Sequence, residues 1–189
     1  MGGLFGVASR ENCITDLFFG TDYHSHLGTR RGGLATLNPD GFTRHIHDIS
    51  TAPFRSKFQD EIPHMSGRHG IGVISDTDDQ PVLIRSHLGM FAIVTVGVIK
   101  NADVLARGIL EGSRAHFSEM KGGTINPTEL VASIICQEES FTDGIRAAQE
   151  SIEGSCSMLL LTAEGLYAAR DLMGRTPIAV GKKPQGYAV

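Results

Sequence analysis

The order of elements along the chain predicts an α+β fold. Apolar runs bounded by glycine and polar residues predict strands in the first half of the chain and again after residue 155. Two helices are predicted between these regions, one beginning near Asn126 and one over about residues 142–152. This order does not follow the regular strand–helix alternation that is typical of a doubly wound parallel sheet.

The first half of the chain carries clear turn and cap signals. Asn12 is a good helix cap, and apolar residues at helical spacing follow it to about Thr21. The polar, glycine-rich residues 20–33 predict a helix end followed by a loop. Asn-Pro-Asp-Gly at 38–41 is typical of a hairpin turn. The strands predicted here are 4–8, 35–37, 42–46, 69–74, 81–86 and 90–99.

The second half is read in the same way. Asn101 is predicted to cap a helix through about Leu110, and a loop is expected over 112–124. Asn126 with Pro127 resembles a helix start with proline at the first helical position. The closing strands are predicted at 156–161, 165–169, 178–181 and 186–189.

Composition indicates one ordinary globular domain, which we assign to residues 1–189. Hydrophobic residues make up 41% and charged residues 20% of the 189, and the net charge of −4 offers no basic surface for nucleic acid or an anionic membrane. No apolar run is long enough to span a bilayer. The start lacks the layout of a signal peptide, so a cytoplasmic protein is expected.

Neither the cysteines nor the histidines predict a metal site. Three scattered cysteines without a CxxC motif are expected to be small buried side chains. His24/His26 and His45/His47 form two H-x-H pairs, and the second pair would share one face of a strand and could ligate zinc. No acidic or cysteine ligand at a familiar spacing accompanies them, so surface histidines are favoured. We expect no metal and no cofactor.

Two motifs resemble the class II glutamine amidotransferase domain of amidophosphoribosyltransferases. Residues 1–6 (MGGLFG) resemble the family's Met-Cys-Gly-Ile-x-Gly start. Residues 165–182 (GLYAARDLMGRTPIAVGK) resemble the G-x-x-x-x-R-D-x-x-G-x-x-P-x-x-x-G stretch that closes the domain. Between them, Gly-Ile-Gly at 70–72, Gln-Pro at 80–81 and Arg-Gly at 31–32 match further family motifs in order.

The resemblance implies an N-terminal-nucleophile hydrolase fold, which is a four-layer αββα sandwich of two antiparallel sheets. It also implies a carboxy-terminal phosphoribosyltransferase domain in the same chain, a homo-oligomer, and glutamine or another small molecule as ligand. No nucleic acid or membrane partner is implied. In such enzymes an amino-terminal cysteine attacks the glutamine amide, because the nucleophile must also leave as a thioester.

The residues at the family's functional positions predict that no catalytic set is intact. Gly2 stands where the family has its cysteine. Ser75 stands in place of the arginine that binds the substrate carboxylate, and Val96 in place of the oxyanion-binding asparagine, beside Gly97. Pro127 stands in place of the aspartate that binds the substrate amine. Arg31 remains a candidate substrate-binding residue.

Three hypotheses follow from the sequence. The first is a purine-biosynthesis-type amidotransferase domain that lacks glutaminase activity and has a structural or regulatory role. The second is an active glutaminase that supplies ammonia for phosphoribosylamine formation, with the glycine at position 2 introduced by cloning. The third is a module that binds a different small molecule.

Overall fold

The computed structural model describes residues 2–112, 120–121 and 124–189, with the backbone alone at 120, 121 and 124. Twelve strands lie within these ranges: β1 Gly3–Ser9, β2 Arg31–Asn38, β3 Gly41–Asp48, β4 His69–Ser75, β5 Val82–Ser86, β6 Gly89–Ile99, β7 Met120–Lys121, β8 Thr124–Ile125, β9 Gly154–Thr162, β10 Gly165–Ala169, β11 Gly181–Lys183 and β12 Gly186–Ala188. The α-helices described are α1 Ile14–Tyr23, α2 Phe54–Phe58, α3 Ala102–Gly112, α4 Pro127–Ile135 and α5 Phe141–Ser151. Short 3-10 helices cover His24–His26 and Ile62–His64.

The strands form two antiparallel sheets that pack face to face. The larger sheet has the order β11-β12-β1-β4-β2-β3, and the smaller has the order β10-β9-β6-β5. Among the described residues, β7 and β8 form a separate two-stranded sheet. The predicted α+β class and the two antiparallel sheets are therefore confirmed.

Three apolar clusters define four layers. Between the sheets, strand residues that include Ile71, Val94 and Leu159 are fully buried. The outer face of the larger sheet packs against α1 and α2 through Leu17, Phe54 and neighbours. The outer face of the smaller sheet packs against α3, α4 and α5. Because each sheet buries both faces, the layer order is helix, sheet, sheet, helix, as expected.

The hairpin around residues 38–41 is confirmed, but its first strand begins earlier than predicted. β2 starts at Arg31, so the glycine-rich segment at 31–34 is a strand and the predicted loop there is wrong. Gly33 explains this, because a Cβ at that position would overlap the Gln80 carbonyl oxygen. Glycine thus lets residues 80–81 pack directly onto the strand backbone.

Cap residues behave differently at two helix starts. The Asn126 side chain accepts a hydrogen bond of 2.8 Å from Thr128 N, so the predicted cap of α4 is confirmed. Asn101 was expected to cap α3 in the same way. Its side chain instead donates to Ser151 O and accepts from Glu153 N, which ties the end of β6 to the end of α5.

Two further predictions concern the later part of the chain. The strand predicted over 178–181 is wrong, since β11 begins only at Gly181 and residues 178–180 are irregular. The loop predicted over 112–124 lies largely outside the described residues, apart from the β7–β8 pair and the end of α3. None of the helices described is long and apolar enough to cross a membrane.

Candidate active site

Gly2 lies between the two sheets, immediately before the start of β1. A Cβ built on Gly2 would lie less than 3.0 Å from the Ile74 carbonyl oxygen and 3.3 Å from Val96 Cγ2. The Ile74 oxygen belongs to the backbone of β4, whose position is fixed by pairing with both β1 and β2. Position 2 therefore has neither a side-chain nucleophile nor space for one in this backbone arrangement.

Ser75 ends β4 and shapes the turn that follows it. Its Oγ accepts hydrogen bonds from the backbone N–H of Thr77 at 3.2 Å and of Asp78 at 3.3 Å. The residue is 6% exposed. A serine hydroxyl held in this way stabilises a turn and cannot form the two parallel hydrogen bonds that a guanidinium gives a carboxylate.

Arg31 is placed opposite Ser75 in the β2–β4 register, but two carboxylates occupy its guanidinium. It forms ion pairs with Asp48 and, at 2.7 Å, with Asp79. The hydrogen bond that the Arg31 guanidinium donates to Asp48 is the main cause of the raised pKa of Arg31. Arg31 thus joins β2, β3 and the turn after β4, and its charge is already compensated.

Val96 and Gly97 lie on β6, across from β9. Val96 is partly buried and packs in the apolar cluster between the sheets. A Cβ at Gly97 would overlap the Ser155 carbonyl oxygen, so close approach of β9 requires glycine there. The side chain beside Gly2 is consequently apolar and has no donor for an oxyanion.

Pro127 begins α4, and the residues around it belong to a buried polar network. Thr128 Oγ1 lies 2.6 Å from Thr95 Oγ1, one residue before Val96. Asn126 Nδ2 donates to Asp79 O at 3.1 Å. The start of α4 is therefore fixed both to β6 and to the turn after β4.

Gln80 completes this network and was missed as a functional side chain from sequence. Its Oε1 accepts from Thr95 N at 2.7 Å, and its Nε2 donates to Thr95 O at 3.2 Å. The residue is 3% exposed. Gln80 thus pairs with the β6 backbone as a neighbouring strand would, and the Gln-Pro motif had given the only signal for it.

These contacts bring the family positions into one region of the molecule. A Cβ built on Gly2 would meet both Val96 Cγ2 and the carbonyl oxygen of Ile74, the residue before Ser75. Pro127 precedes Thr128, whose bonded partner precedes Val96. The region is formed by the ends of β1 and β4, the middle of β6 and the start of α4. None of the side chains at the five family positions 2, 75, 96, 97 and 127 carries a charge.

None of the three cysteines is suited to replace the missing thiolate. Burial raises the pKa of the Cys13 thiol to about 11 and that of Cys156 to about 12. Burial also raises the pKa of Cys136. A thiolate is the reactive form of cysteine, so these thiols are poor nucleophiles at neutral pH.

The remaining sequence candidates have structural contacts. Asp171, in the closing motif, accepts backbone hydrogen bonds from Met173, Arg175 and Thr176 and so stabilises a turn. Two aspartates of the turn after β4 have partners within the protein: Asp76 accepts a hydrogen bond from Thr29 N, and Asp79 forms an ion pair with Arg31. The second H-x-H pair meets an unforeseen partner, because both His45 and His47 contact Glu61.

Comparison with known proteins identifies relatives of one kind. No family model matches the chain. An amidophosphoribosyltransferase of Synechocystis is 26% identical over 192 residues, covering 95% of this chain and 37% of that protein. The one of Methanocaldococcus jannaschii is 28% identical over 202 residues, covering 96% of this chain and 40% of that protein. The chain is a homologue of the glutamine amidotransferase domain of amidophosphoribosyltransferases.

A solved structure shows the same fold over the whole domain. Glutamine phosphoribosylpyrophosphate amidotransferase from B. subtilis superimposes with a TM-score of 0.84 at 21% identity, covering 100% of this chain and 41% of that one. The fold is therefore that of the N-terminal-nucleophile hydrolase-like amidotransferase domain. The chain spans about two fifths of the length of these relatives.

Proposed function

We propose that this amidotransferase domain lacks glutaminase activity and has a structural or regulatory role in an amidophosphoribosyltransferase-like protein of purine biosynthesis. The observation that carries the proposal is the environment of Gly2. Position 2 offers no thiol, and a side chain there would collide with the Ile74 carbonyl oxygen. Covalent catalysis on glutamine requires a nucleophile at this point of the fold.

The surrounding residues support the same conclusion. A glutamine zwitterion needs a cationic partner for its carboxylate and an anionic partner for its ammonium group. The Ser75 hydroxyl already accepts a hydrogen bond within the turn after β4, and Pro127 has no polar side chain. Each group of the substrate that was buried without a partner would cost roughly 1–3 kcal/mol. We therefore expect glutamine to bind weakly as well as to react slowly.

Stepwise restoration separates this proposal from an active enzyme that has lost only its nucleophile. Gly2→Cys alone is expected to release no ammonia from glutamine above background. Adding S75R, V96N and P127D to Gly2→Cys supplies groups for the substrate carboxylate, the oxyanion and the substrate amine. The rate of ammonia release by this combined variant tests whether those three positions limit glutaminase activity. Ammonia release by Gly2→Cys alone at about 1 s⁻¹ or faster, within the ordinary enzymatic range, would support the active-glutaminase hypothesis instead.

The role proposed for the domain is to support a phosphoribosyltransferase domain in the same polypeptide, within a homo-oligomer. The relatives are longer than this chain, which is the length relation that such an arrangement requires. The partner domain would then use free ammonia. Deleting residues 1–189 from the complete gene product is expected to reduce folding yield or oligomer size, measured by light scattering. Unchanged yield and size would contradict a supporting role.

A small-molecule-binding role has one specific observation in its favour. An open depression of about 310 Å³ is lined by Arg31, Arg44, Ile46, His47, Asp48 and Asp79. Its mixture of charges suits a small zwitterion or a phosphorylated compound. A thermal-shift screen of amino acids, nucleotides and phosphoribosyl compounds tests this role, because binding to the folded state raises the melting temperature.

A further inference from the structure

The strand β3 presents two histidines to one carboxylate from another part of the chain. His45 and His47 are two residues apart and share the face of β3 that packs against α2. Glu61 lies between α2 and the 3-10 helix that follows it. His45 Nδ1 is 2.6 Å from Glu61 Oε2, and His47 Nε2 is 2.5 Å from Glu61 Oε1.

The cluster is mostly enclosed, and its second histidine is held in place by packing. The side chains of His45 and His47 are each 30% exposed, and that of Glu61 is 23% exposed. The His47 ring meets the ring of the fully buried Phe58 edge-on, with 4.7 Å between the ring centroids. Such outer contacts fix the orientation of a ligating imidazole.

One oxygen of the cluster is not satisfied by hydrogen bonding. Glu61 Oε2 is buried and accepts no hydrogen bond from the described residues. His45 Nδ1 lies within ion-pair distance of it but is not aligned as a donor. A buried carboxylate oxygen that accepts no hydrogen bond is unfavourable, and a cation between it and the imidazole nitrogen would compensate its charge.

We propose that His45, His47 and Glu61 bind a divalent transition-metal ion of the zinc class. Two imidazole nitrogens and one carboxylate are an established protein ligand set for such ions, with water in the fourth position. The site is on the outer face of the larger sheet, whereas Gly2 lies between the sheets. The proposal is therefore independent of the proposed loss of glutaminase activity.

Metal binding requires a small adjustment of these side chains. Among the described residues, no three His, Cys, Asp or Glu side chains already surround a point in a metal-binding arrangement. In a tetrahedral site with bonds of about 2.0 Å, ligand atoms are separated by roughly 3.3 Å. The two nitrogen–oxygen contacts, now 2.6 Å and 2.5 Å, would have to widen accordingly. Side-chain rotation supplies this widening.

The bound ion would link β3 to the segment that carries α2 and Glu61. This predicts that metal raises thermal stability and that the increase depends on all three ligands. At free zinc about 100-fold above its dissociation constant, the melting temperature is expected to rise by roughly 5–10 °C.

The experiment uses chelator-treated, dialysed protein titrated with Zn²⁺ and, separately, with Co²⁺. Calorimetry gives the stoichiometry, the visible absorption of Co²⁺ reports its coordination, and circular dichroism shows that each variant is folded. The variants are His45→Gln, His47→Gln and Glu61→Gln. His26→Gln is the matched control, because His26 belongs to the other H-x-H pair and its Nδ1 contacts Tyr23 O.

The expected result is one ion per chain, with affinity reduced at least tenfold in the ligand variants and unchanged in His26→Gln. If Glu61→Gln does not fold, the two histidine variants provide the same comparison. Absence of stoichiometric binding by the unaltered protein would overturn the proposal. Equal loss in His26→Gln and in the ligand variants would overturn it too, because binding would then reflect scattered surface histidines.

Discussion

The hydroxyl contact between Thr95 and Thr128 gives a quantitative test of how α4 is fixed beside the candidate site. The two Oγ1 atoms are 2.6 Å apart, and the residues are 8% and 0% exposed. Replacing either threonine by valine keeps the shape and leaves the other hydroxyl buried without this partner. Each single replacement should therefore lower the free energy of unfolding by roughly 1–3 kcal/mol.

The double variant carries the distinguishing information. With both hydroxyls gone, no buried hydroxyl is left unpaired, so Thr95→Val with Thr128→Val should lose no more stability than the larger single loss. The coupling energy should then be at least about 1 kcal/mol. Urea denaturation at 25 °C gives the free energy of unfolding of the unaltered protein, the two single variants and the double variant. In a separate thermal scan, the melting temperature should change by about 2–4 °C for each kcal/mol of that free energy.

Thr36→Val is the matched control for this cycle. Thr36 is fully buried, and its Oγ1 has no hydrogen-bond partner among the described residues. Removing that hydroxyl is expected to leave stability unchanged or to raise it. Additive losses in the Thr95/Thr128 cycle, together with a loss in Thr36→Val similar to the single losses, would refute the reasoning that a specific hydroxyl pair holds α4.

Further predictions concern pH and backbone packing. Burial is the main cause of the lowered pKa of His24, with His26 second, so the unfolded chain binds this proton more readily than the folded protein. Stability should therefore fall as the pH drops through the ordinary histidine value of 6.5 towards the folded value, and His24→Gln should flatten that part of the stability–pH curve measured by urea denaturation. Gly33→Ala should destabilise by about 1–3 kcal/mol, because its Cβ would overlap the Gln80 carbonyl oxygen. Gly108→Ala in α3, where a Cβ meets nothing within 4 Å, should stabilise by about 0.5–1 kcal/mol in the same denaturation assay. A loss in both glycine variants would mean that Gly33 is not limited by close packing.

Local signals in the sequence were sufficient for some elements. Asn126 and Pro127 define a helix start by cap geometry alone, and the turn at 38–41 defines a hairpin. Both depend on interactions between residues that are close in sequence. The start of β2 at Arg31 could not be found in this way, because charged and glycine residues have low strand propensity. Gly33 is required there by Gln80, which is distant in sequence.

The arrangement of the candidate site was harder to predict from the sequence than the start of β2, because more of it depends on contacts between residues that are distant in the chain. The family resemblance identified positions 2, 75, 96 and 127, but their proximity arises from two sheets packing together. The strand period did predict that His45 and His47 share a face. Glu61 has no fixed spacing from them and reaches them only because α2 folds back over the sheet. Gln80 likewise acquires its role only when β6 lies beside it.

The rate of ammonia release from glutamine tests the central claim most directly. The assay uses the complete gene product carrying its natural residue 2 and compares the rate of ammonia release with and without glutamine. A further incubation supplies free ammonium ion in place of glutamine as the nitrogen source. The account predicts no glutamine-dependent ammonia release above the no-enzyme background. Release of ammonia from glutamine at an ordinary enzymatic rate, about 1 s⁻¹ or faster, would contradict it.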